Sequence, residues 1–161
     1  MADLTRADRI MKHEKFLRAV RLINESEKDR IYCRHGVEHL LDVARAGAMI
    51  ADERDYDLET DIIYAAALMH DIGRAKDYED GTPHDQGSVM LAGEILPECG
   101  YNDDEVAQIV MAVAAHRMEN IGMPLAEVLY EADKKTRLCF MCDAKRTCKW
   151  PRDKMNMELV Y

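Results

Sequence analysis

The sequence predicts an all-α fold, a single-domain bundle of about six main helices, and three observations lead to this prediction. Apolar side chains recur at helical spacing along most of the 161 residues. Strand signals are lacking, because aromatic residues make up only 6% of the chain and alternating apolar and polar runs are absent. No repeat or low-complexity linker divides the chain, whose length suits one core. We therefore expect residues 1–161 to form one domain.

The first two predicted helices lie in the N-terminal third of the chain. An amphipathic helix is expected over residues 4–26, within an N-terminal helical segment 1–30. A second helix follows Gly36 and continues to about residue 52. Apolar residues recur every three or four positions in both segments, so each helix is expected to turn one face to the core.

A third helix is expected to start after Asp57, a suitable N-cap, and to end at His70-Asp71. Gly73 suits the left-handed conformation that commonly closes a helix. The next stretch, residues 73–84, is polar and contains glycine and proline, which predicts a loop.

Three further helices are predicted in the second half of the chain. The fourth spans residues 85–97, and the fifth begins at Asn102, which has capping-box spacing to Glu105. The sixth begins at Pro124, because proline is favoured in a first helical turn. Residues 139–161 are polar, contain cysteines and are less regular, so we expect a C-terminal tail.

Charge and hydropathy exclude some classes of partner. The formal net charge of −9 argues against binding to extended nucleic acid, which normally requires a basic surface. The longest apolar run, Ile62–Met69, is far too short to span a membrane. The first sixteen residues are charged and lack a signal-peptide core, so we expect a cytoplasmic protein. A small phosphorylated ligand remains compatible, since a bound metal can reverse the local field.

The pair His70-Asp71 ends the apolar run and is the strongest functional signal in the chain. Burying a potential charge there is costly unless something pairs with it. A metal ion is the simplest partner, because it binds neutral imidazole and ionised carboxylate together. Four separated segments offer further metal-type side chains, namely His39, His84, His116 and Asp133.

This order of residues resembles the HD superfamily of metal-dependent phosphohydrolases. The matching local patterns are HLLDVA at 39–44, AALMHDIGR at 66–74, HDQGSVMLAGEIL at 84–96, AVAAHR at 112–117 and EADKKTR at 131–137. The resemblance implies a helical bundle with a metal site between its helices. The ligands that it implies for one ion are His39, His70, Asp71 and Asp133. The subgroup with a second ion would add His84 and His116, with Asp71 bridging the two.

The resemblance implies a phosphatase or phosphodiesterase that uses a metal-activated water. The expected substrate is a phosphate ester or anhydride of a small metabolite, with nucleotides as the leading class. Four imidazoles and two carboxylates favour iron or manganese, while zinc, cobalt, nickel and magnesium stay open. Asp71 is expected to orient the water, and His35 to support the ligands rather than bind metal. The basic residues near the ligands are expected to hold phosphate oxygens; they are Arg74, Arg117, Lys134 and Arg137.

Two other functions stay open at this point. A di-iron oxygenase could use the same ligands, and a non-catalytic domain could bind a nucleotide without hydrolysing it. The substrate does not transfer from better-known branches. Arg74-Ala75-Lys76 replaces the Glu-Asp pair of the guanosine-tetraphosphate hydrolases, and His116-Arg117 replaces the His-Thr of the symmetrical dinucleoside-tetraphosphate hydrolases. Assembly into a homo-oligomer is also left open.

Cysteines suggest a second metal site. Cys139 and Cys142 have the spacing of a metal motif, and Cys148 follows. Cys33 lies six residues before His39, and Cys139 lies six residues after Asp133. If one metal joins His39 and Asp133 across antiparallel helices, these equal offsets bring Cys33 and Cys139 to the same end. The hypothesis is a structural zinc or iron–sulfur site with four thiolates; its alternative is a set of reduced thiols.

Overall fold

The computed structural model of the protein describes residues 2–119 and 121–160, and every regular element in these ranges is helical. The α-helices are α1 (Thr5–Lys12), α2 (Glu14–Ser26), α3 (Val37–Glu53), α4 (Thr60–Met69), α5 (Arg74–Asp80), α6 (His84–Glu98), α7 (Asp103–Ala115) and α8 (Pro124–Lys135). Short 3-10 helices follow at Cys139–Met141, Asp143–Arg146 and Arg152–Lys154. The predicted all-α, single-domain fold is confirmed; its end positions, 1 and 161, lie outside the described residues. None of the described helices is long and apolar enough to cross a bilayer.

Helix α4 is the centre of the bundle. Its side chains are buried on almost every side, as its continuous apolar sequence requires. It packs against α1, α3, α6, α7 and α8. Because α4 ends at Met69, the next two residues, His70 and Asp71, emerge inside the bundle, where they are 0% and 2% exposed.

The turn after α4 is held against α6 by one serine. The Ser88 hydroxyl accepts a hydrogen bond from the Gly73 amide and donates one to the His70 carbonyl, both at 2.9 Å. The expected left-handed conformation of Gly73 is wrong, because its φ is −67°. Close packing explains the glycine instead: a Cβ there would lie 2.0 Å from the Ser88 amide nitrogen and 2.1 Å from the His84 carbonyl oxygen.

We expect Gly73→Ala to lower the free energy of unfolding by at least about 2 kcal/mol, because a methyl group there collides with backbone that cannot move aside cheaply. Urea unfolding measures this change. The matched control is Gly93→Ala, where no atom beyond the surrounding turns of its own helix lies within 4 Å of the added Cβ. Since Gly93 is inside α6, that change should stabilise the protein by about 0.5–1 kcal/mol. A Gly73→Ala protein as stable as the wild type would contradict the packing argument.

The predicted helix 4–26 is two helices, and the break lies at His13. The backbone of His13 is extended, with ψ at 134°, and its ring accepts a hydrogen bond from the Lys15 amide at 3.2 Å. Histidine therefore caps α2, a role more typical of serine, threonine, asparagine or aspartate. The hydrophobic pattern continues through the break, which is why the periodicity suggested one helix.

The loop predicted over residues 73–84 is mostly helix. Helix α5 occupies Arg74–Asp80 and is closed by Gly81, whose φ is 79°. Ala75 is its only buried residue, so the segment lacks the apolar periodicity that signals a helix. A helix of this length is too short to be stable alone, and α5 packs against α2 and α6.

Helix starts were predicted with mixed success. Helix α4 begins at Thr60 with Glu59 at its N-cap, so Asp57 does not have the expected role. At α7, Asn102 and Glu105 make both hydrogen bonds of a capping box, which confirms that prediction. Pro124 is the first residue of α8, as expected.

Candidate metal centre

The six side chains predicted to bind metal converge in the bundle interior. His39 comes from α3, the pair His70-Asp71 from the turn after α4, His84 from the start of α6, His116 from the end of α7 and Asp133 from α8. Two groups of them have donor atoms that all lie within 4.8 Å of one another. The first contains His39, His70, Asp71 and Asp133, and the second contains Asp71, His84 and His116.

In the first group, ring nitrogens and carboxylate oxygens face a common point. The Nε2 atom of His39 lies 3.2 Å from Oδ1 of Asp133 and 4.0 Å from Oδ2 of Asp71. The Nε2 atom of His70 lies 3.9 Å and 3.6 Å from the same two oxygens. These separations suit four donors around one ion, because the ligands of a first-row metal each stand about 2 Å from it.

The second group shares Asp71 with the first. Oδ1 of Asp71 lies 3.8 Å from Nε2 of His84, while Oδ2 faces His39 and His70. The His84 and His116 rings stand with their centroids 6.1 Å apart. One carboxylate thus offers a separate oxygen to each group, the arrangement that a bridging ligand of two ions requires.

Backbone carbonyls orient two of the imidazoles. Nδ1 of His70 donates to the Ala67 carbonyl at 2.6 Å, and Nδ1 of His116 donates to the Val113 carbonyl at 2.5 Å. Each bond leaves the Nε2 lone pair free for a metal. Nε2 of His70 and Oδ1 of Asp71 are buried and accept no hydrogen bond from the described residues, although the Arg74 guanidinium forms an ion pair with that oxygen. Buried polar atoms without partners are costly, and a divalent cation would satisfy both.

His39, His116 and Asp71 are held in the protonation states that metal binding needs. Burial lowers the pKa of His39 to about 4, against the opposing effect of Asp133. Burial, aided by His70, also lowers the pKa of His116 to about 4. Burial alone would raise the pKa of Asp71, but the charges of His70 and Arg74 bring it well below its ordinary value. Neutral imidazole beside ionised carboxylate at pH 7 can bind a metal with little loss of protons.

Three of the four predicted phosphate-binding cations contact the aspartates of the site. Nη2 of Arg137 lies 2.6 Å from Oδ1 of Asp133, and Lys134 pairs with the other oxygen of that carboxylate. Nε of Arg74 lies 3.1 Å from Oδ1 of Asp71. Arg117, the fourth, lines the same cavity as these residues. Positive charge therefore surrounds the ligands on the side that faces the cavity.

A buried network beside the site was only partly anticipated. His35 is 4% exposed; its Nδ1 lies 2.7 Å from Glu27, and its Nε2 lies 3.8 Å from Oδ2 of Asp71. Glu27 also accepts from the Tyr78 hydroxyl at 2.7 Å. Burial would raise the pKa of Glu27, but hydrogen bonds from His35 and Tyr78 lower it to about 2. The sequence suggested a supporting histidine, yet nothing in it linked Glu27 or Tyr78 to the site.

A cavity of about 890 Å³ opens onto the centre. This volume falls within the usual range for small-molecule sites. Seven cationic residues line it: Arg30, Arg74, Arg117, Lys134, Arg137, Lys145 and Lys149. Among the described lining residues, the only carboxylates are those of Asp71 and Asp133. The cavity thus has the opposite charge character to the protein, whose formal net charge is −9.

The four-thiolate site is not assembled in this structure. The cysteines proposed for it, namely Cys33, Cys139, Cys142 and Cys148, all line the cavity. Within residues 2–119 and 121–160, however, no cluster of three metal-type donor atoms within 4.8 Å includes a cysteine. The helical offset argument was wrong because neither Cys33 nor Cys139 belongs to the helix of its neighbouring ligand: α3 begins at Val37 and α8 ends at Lys135.

The shared carboxylate leads to a prediction about metal content. We expect two ions per chain in the wild type and one in His84→Ala, because the second group loses a nitrogen while the first keeps all four donors. Elemental analysis of purified protein measures the stoichiometry. His13→Ala, which removes a histidine that does not line the cavity, is the matched control. Equal metal content in His84→Ala and the control would contradict the assignment of His84.

Comparison with known proteins places this chain in a family. The HD domain model matches residues 36–149, a range that contains all six convergent side chains. An uncharacterized protein of Clostridium beijerinckii is 38% identical over 135 residues, which cover 84% of this chain and 85% of that protein. Ribonuclease Y of Mycoplasma mycoides is 33% identical over 97 residues, and that of Rubrobacter xylanophilus is 29% identical over 100. These matches cover 60% and 62% of this chain but only 21% and 18% of the ribonucleases.

The fold has a counterpart among solved structures. The crystal structure of a predicted HD superfamily hydrolase from an uncultured Thermotogales bacterium superimposes with a TM-score of 0.63. The similarity covers 89% of this chain and 80% of that one at 22% sequence identity, so it concerns the fold. The family match over residues 36–149, together with this fold, shows that the chain belongs to the HD domain family.

Proposed function

We propose that this protein is a metal-dependent phosphohydrolase that cleaves a phosphate ester or anhydride of a small metabolite, with nucleotides as the leading class. The observation that supports this best is the charge of the cavity. Seven cations surround two metal-facing carboxylates in a protein with a formal net charge of −9. Phosphoryl transfer depends mainly on positioning and on positive charge around the phosphoryl oxygens. Membership of the HD domain family supports the same reaction class.

The donor set divides between two ions. The ligands of one would be His39, His70, Asp71 and Asp133, and those of the other Asp71, His84 and His116. When bound, divalent ions of this kind supply positive charge and a water of lowered pKa. Iron or manganese suits four imidazoles and two carboxylates best, and zinc, cobalt, nickel or magnesium can occupy similar donors.

The protein's own groups would orient the reactants. Asp71, with one oxygen toward each group, is placed to accept a hydrogen bond from the attacking water and so fix its direction. Arg74 and Arg137 already lie against the two carboxylates, so a phosphate bound there would lie beside their guanidinium groups. Lys134 and Arg117 add charge from α8 and from the end of α7.

A substrate panel tests this proposal. It contains nucleoside mono-, di- and triphosphates, cyclic nucleotides, sugar phosphates, p-nitrophenyl phosphate and a short RNA, each assayed with manganese or iron. The RNA is included because ribonuclease Y is among the relatives, although the acidic net charge argues against extended nucleic acid. We expect metal-dependent cleavage of at least one small phosphate compound, and its loss in His70→Ala.

The same panel distinguishes the other two functions. Absence of metal-dependent turnover across the panel would contradict the proposal. Oxygen uptake by the iron-loaded protein, without phosphate release, would favour an oxygenase. Saturable nucleotide binding without turnover would favour a binding domain.

A further inference from the structure

The segment after α8 forms part of the cavity that opens onto the metal centre. The segment 138–155 is here called the tail wall, and ten of its residues line this cavity together with His116 and Asp133. The tail wall contributes apolar as well as cationic surface: Leu138 is 61% exposed and Met141 is 72% exposed. Such surface is not needed to bind a phosphate group, so it points to another part of the ligand.

Hydrogen bonds fix the tail wall relative to the metal centre. The Asn156 amide donates to the carbonyls of Lys134, Lys135 and Arg137, at 2.7, 3.1 and 2.9 Å. Its backbone carbonyl accepts from the Phe140 amide at 3.0 Å. Asn156 therefore caps the end of α8, the helix that carries Asp133, and joins it to the start of the tail wall.

A second attachment comes from the opposite end of the sequence. Tyr32, in the loop between α2 and α3, donates its hydroxyl to the Thr147 carbonyl at 3.3 Å. Both residues line the cavity. The tail wall is thus held at two places, at the end of α8 and at Thr147.

Trp150 is the aromatic residue of the tail wall that lines the cavity. Its ring is partly exposed and lines the cavity. The Lys134 ammonium group lies 5.9 Å from the centroid of this ring, and the same ammonium group pairs with the Asp133 carboxylate. One cation therefore separates a flat apolar surface from a metal-facing carboxylate.

We propose that the tail wall is the nucleobase subsite of this enzyme, with Trp150 stacking on the base of a nucleotide whose phosphate lies at Lys134 and the metal centre. This inference rests on the proposed phosphohydrolase function. In a nucleotide, one pentose joins a flat, weakly polar base to an anionic phosphate. The indole ring of Trp150 suits the base, and the Lys134 ammonium group beside the carboxylates suits the phosphate. Stacking of a base on an aromatic side chain adds affinity without requiring a particular base. A sugar phosphate or inorganic phosphate would contact the cations alone.

Binding can be measured directly, because Trp150 is the only tryptophan of the chain. The manganese-loaded wild-type protein is mixed with AMP, GMP or CMP, and its tryptophan emission is read in the first seconds. Ribose 5-phosphate, which has the sugar and phosphate but no base, is the matched control. We expect saturable quenching by the nucleotides and none by ribose 5-phosphate. Unchanged emission with all three nucleotides, or equal quenching by ribose 5-phosphate, would overturn the subsite.

Kinetics provide the second test. Trp150→Ala is expected to raise the KM for nucleotide hydrolysis about tenfold or more, since base stacking commonly contributes that much. Trp150→Phe keeps a stacking surface and should recover most of the loss. Hydrolysis of ribose 5-phosphate should not change in either variant. An equal loss for both substrates would overturn the subsite. If Trp150→Ala fails to fold, the fluorescence test on the wild-type protein decides instead.

The two tests separate this inference from the function on which it rests. Saturable quenching by nucleotides, with no phosphate released from any of them, would count against the phosphohydrolase and leave the base subsite in place. A second outcome is metal-dependent hydrolysis at equal rates for nucleotides and ribose 5-phosphate, and at equal rates in the wild type and Trp150→Ala. It would leave the phosphohydrolase in place and overturn the subsite.

Discussion

Asp71→Asn is expected to lower metal-dependent phosphate release by at least about 1000-fold, the equivalent of about 4 kcal/mol in the barrier. The physical reason is that Asp71 serves both donor groups, one oxygen for each. Asparagine has nearly the same shape but removes the negative charge and one of the two carboxylate oxygens. Both ions should then be held weakly, and the water should lose its orienting acceptor. Initial rates on the best substrate of the panel, with metal content per chain, measure both effects.

The control for this variant is Asp77→Asn. It removes the same charge six residues further along, from an exposed position on α5 that does not line the cavity. We expect full activity and full metal content in Asp77→Asn. Circular dichroism checks that Asp71→Asn keeps its helices, so that a loss of rate reports on the site. An Asp71→Asn enzyme with wild-type rate and two bound ions would rule out the shared-carboxylate centre.

The convergence of the six side chains could be anticipated because their order and the surrounding local patterns resemble those of the HD superfamily. The apolar run before His70 required a buried α4, and a helix that ends inside a bundle must deliver its last residues to the interior. Lys134 and Arg137 could be anticipated for a similar reason, since both are close to Asp133 on or just after one helix. Local sequence carries this information because helical spacing converts it directly into position.

Features that depend on distant contacts could not be anticipated. Glu27 and His35 are eight residues apart, but their link to Tyr78 forms only when α5 packs against α2. The tail wall depends on Asn156, whose amide caps a helix that ends about twenty residues earlier. Neither α5 nor the tail wall has apolar periodicity, so the sequence of neither segment predicted a helix. In both cases hydrogen bonds between residues distant in sequence help to fix the path of the chain.

Four of the cysteines line the cavity, which changes the interpretation of their clustering in the sequence. Their clustering suggested a closed metal site, whereas in the structure they surround an open cavity beside basic and aromatic residues. A short spacing such as that of Cys139 and Cys142 limits how far apart two side chains can be, but it does not bring a third or fourth to them. The clustered cysteines are therefore compatible with the lining of a ligand cavity.

Removing and restoring metal is expected to have the second large effect. Among residues 2–119 and 121–160, no group makes a hydrogen bond to the buried Nε2 of His70 or Oδ1 of Asp71, so an ion that binds only the folded chain should stabilise it strongly. At a free concentration of about 1000 times its Kd, one such ion stabilises by about 4 kcal/mol. For a chain of this size that corresponds to a rise in Tm of about 8–16 °C. Thermal unfolding after EDTA treatment, with and without added manganese or iron, measures this shift.

The pH dependence of that shift gives a further check on its origin. The pKa values of His39 and His116 are lowered by burial to about 4, so protons compete for these nitrogens in the folded state only as pH falls towards 4. We therefore expect the metal-induced rise in Tm to persist at pH 5.5. Tm itself should fall below pH 6.5, because unfolded histidines take up protons there that the folded ones do not. Because Asp71→Asn weakens both donor groups, its shift should be much smaller, and an equal shift in that variant would mean that the stabilising ions bind elsewhere.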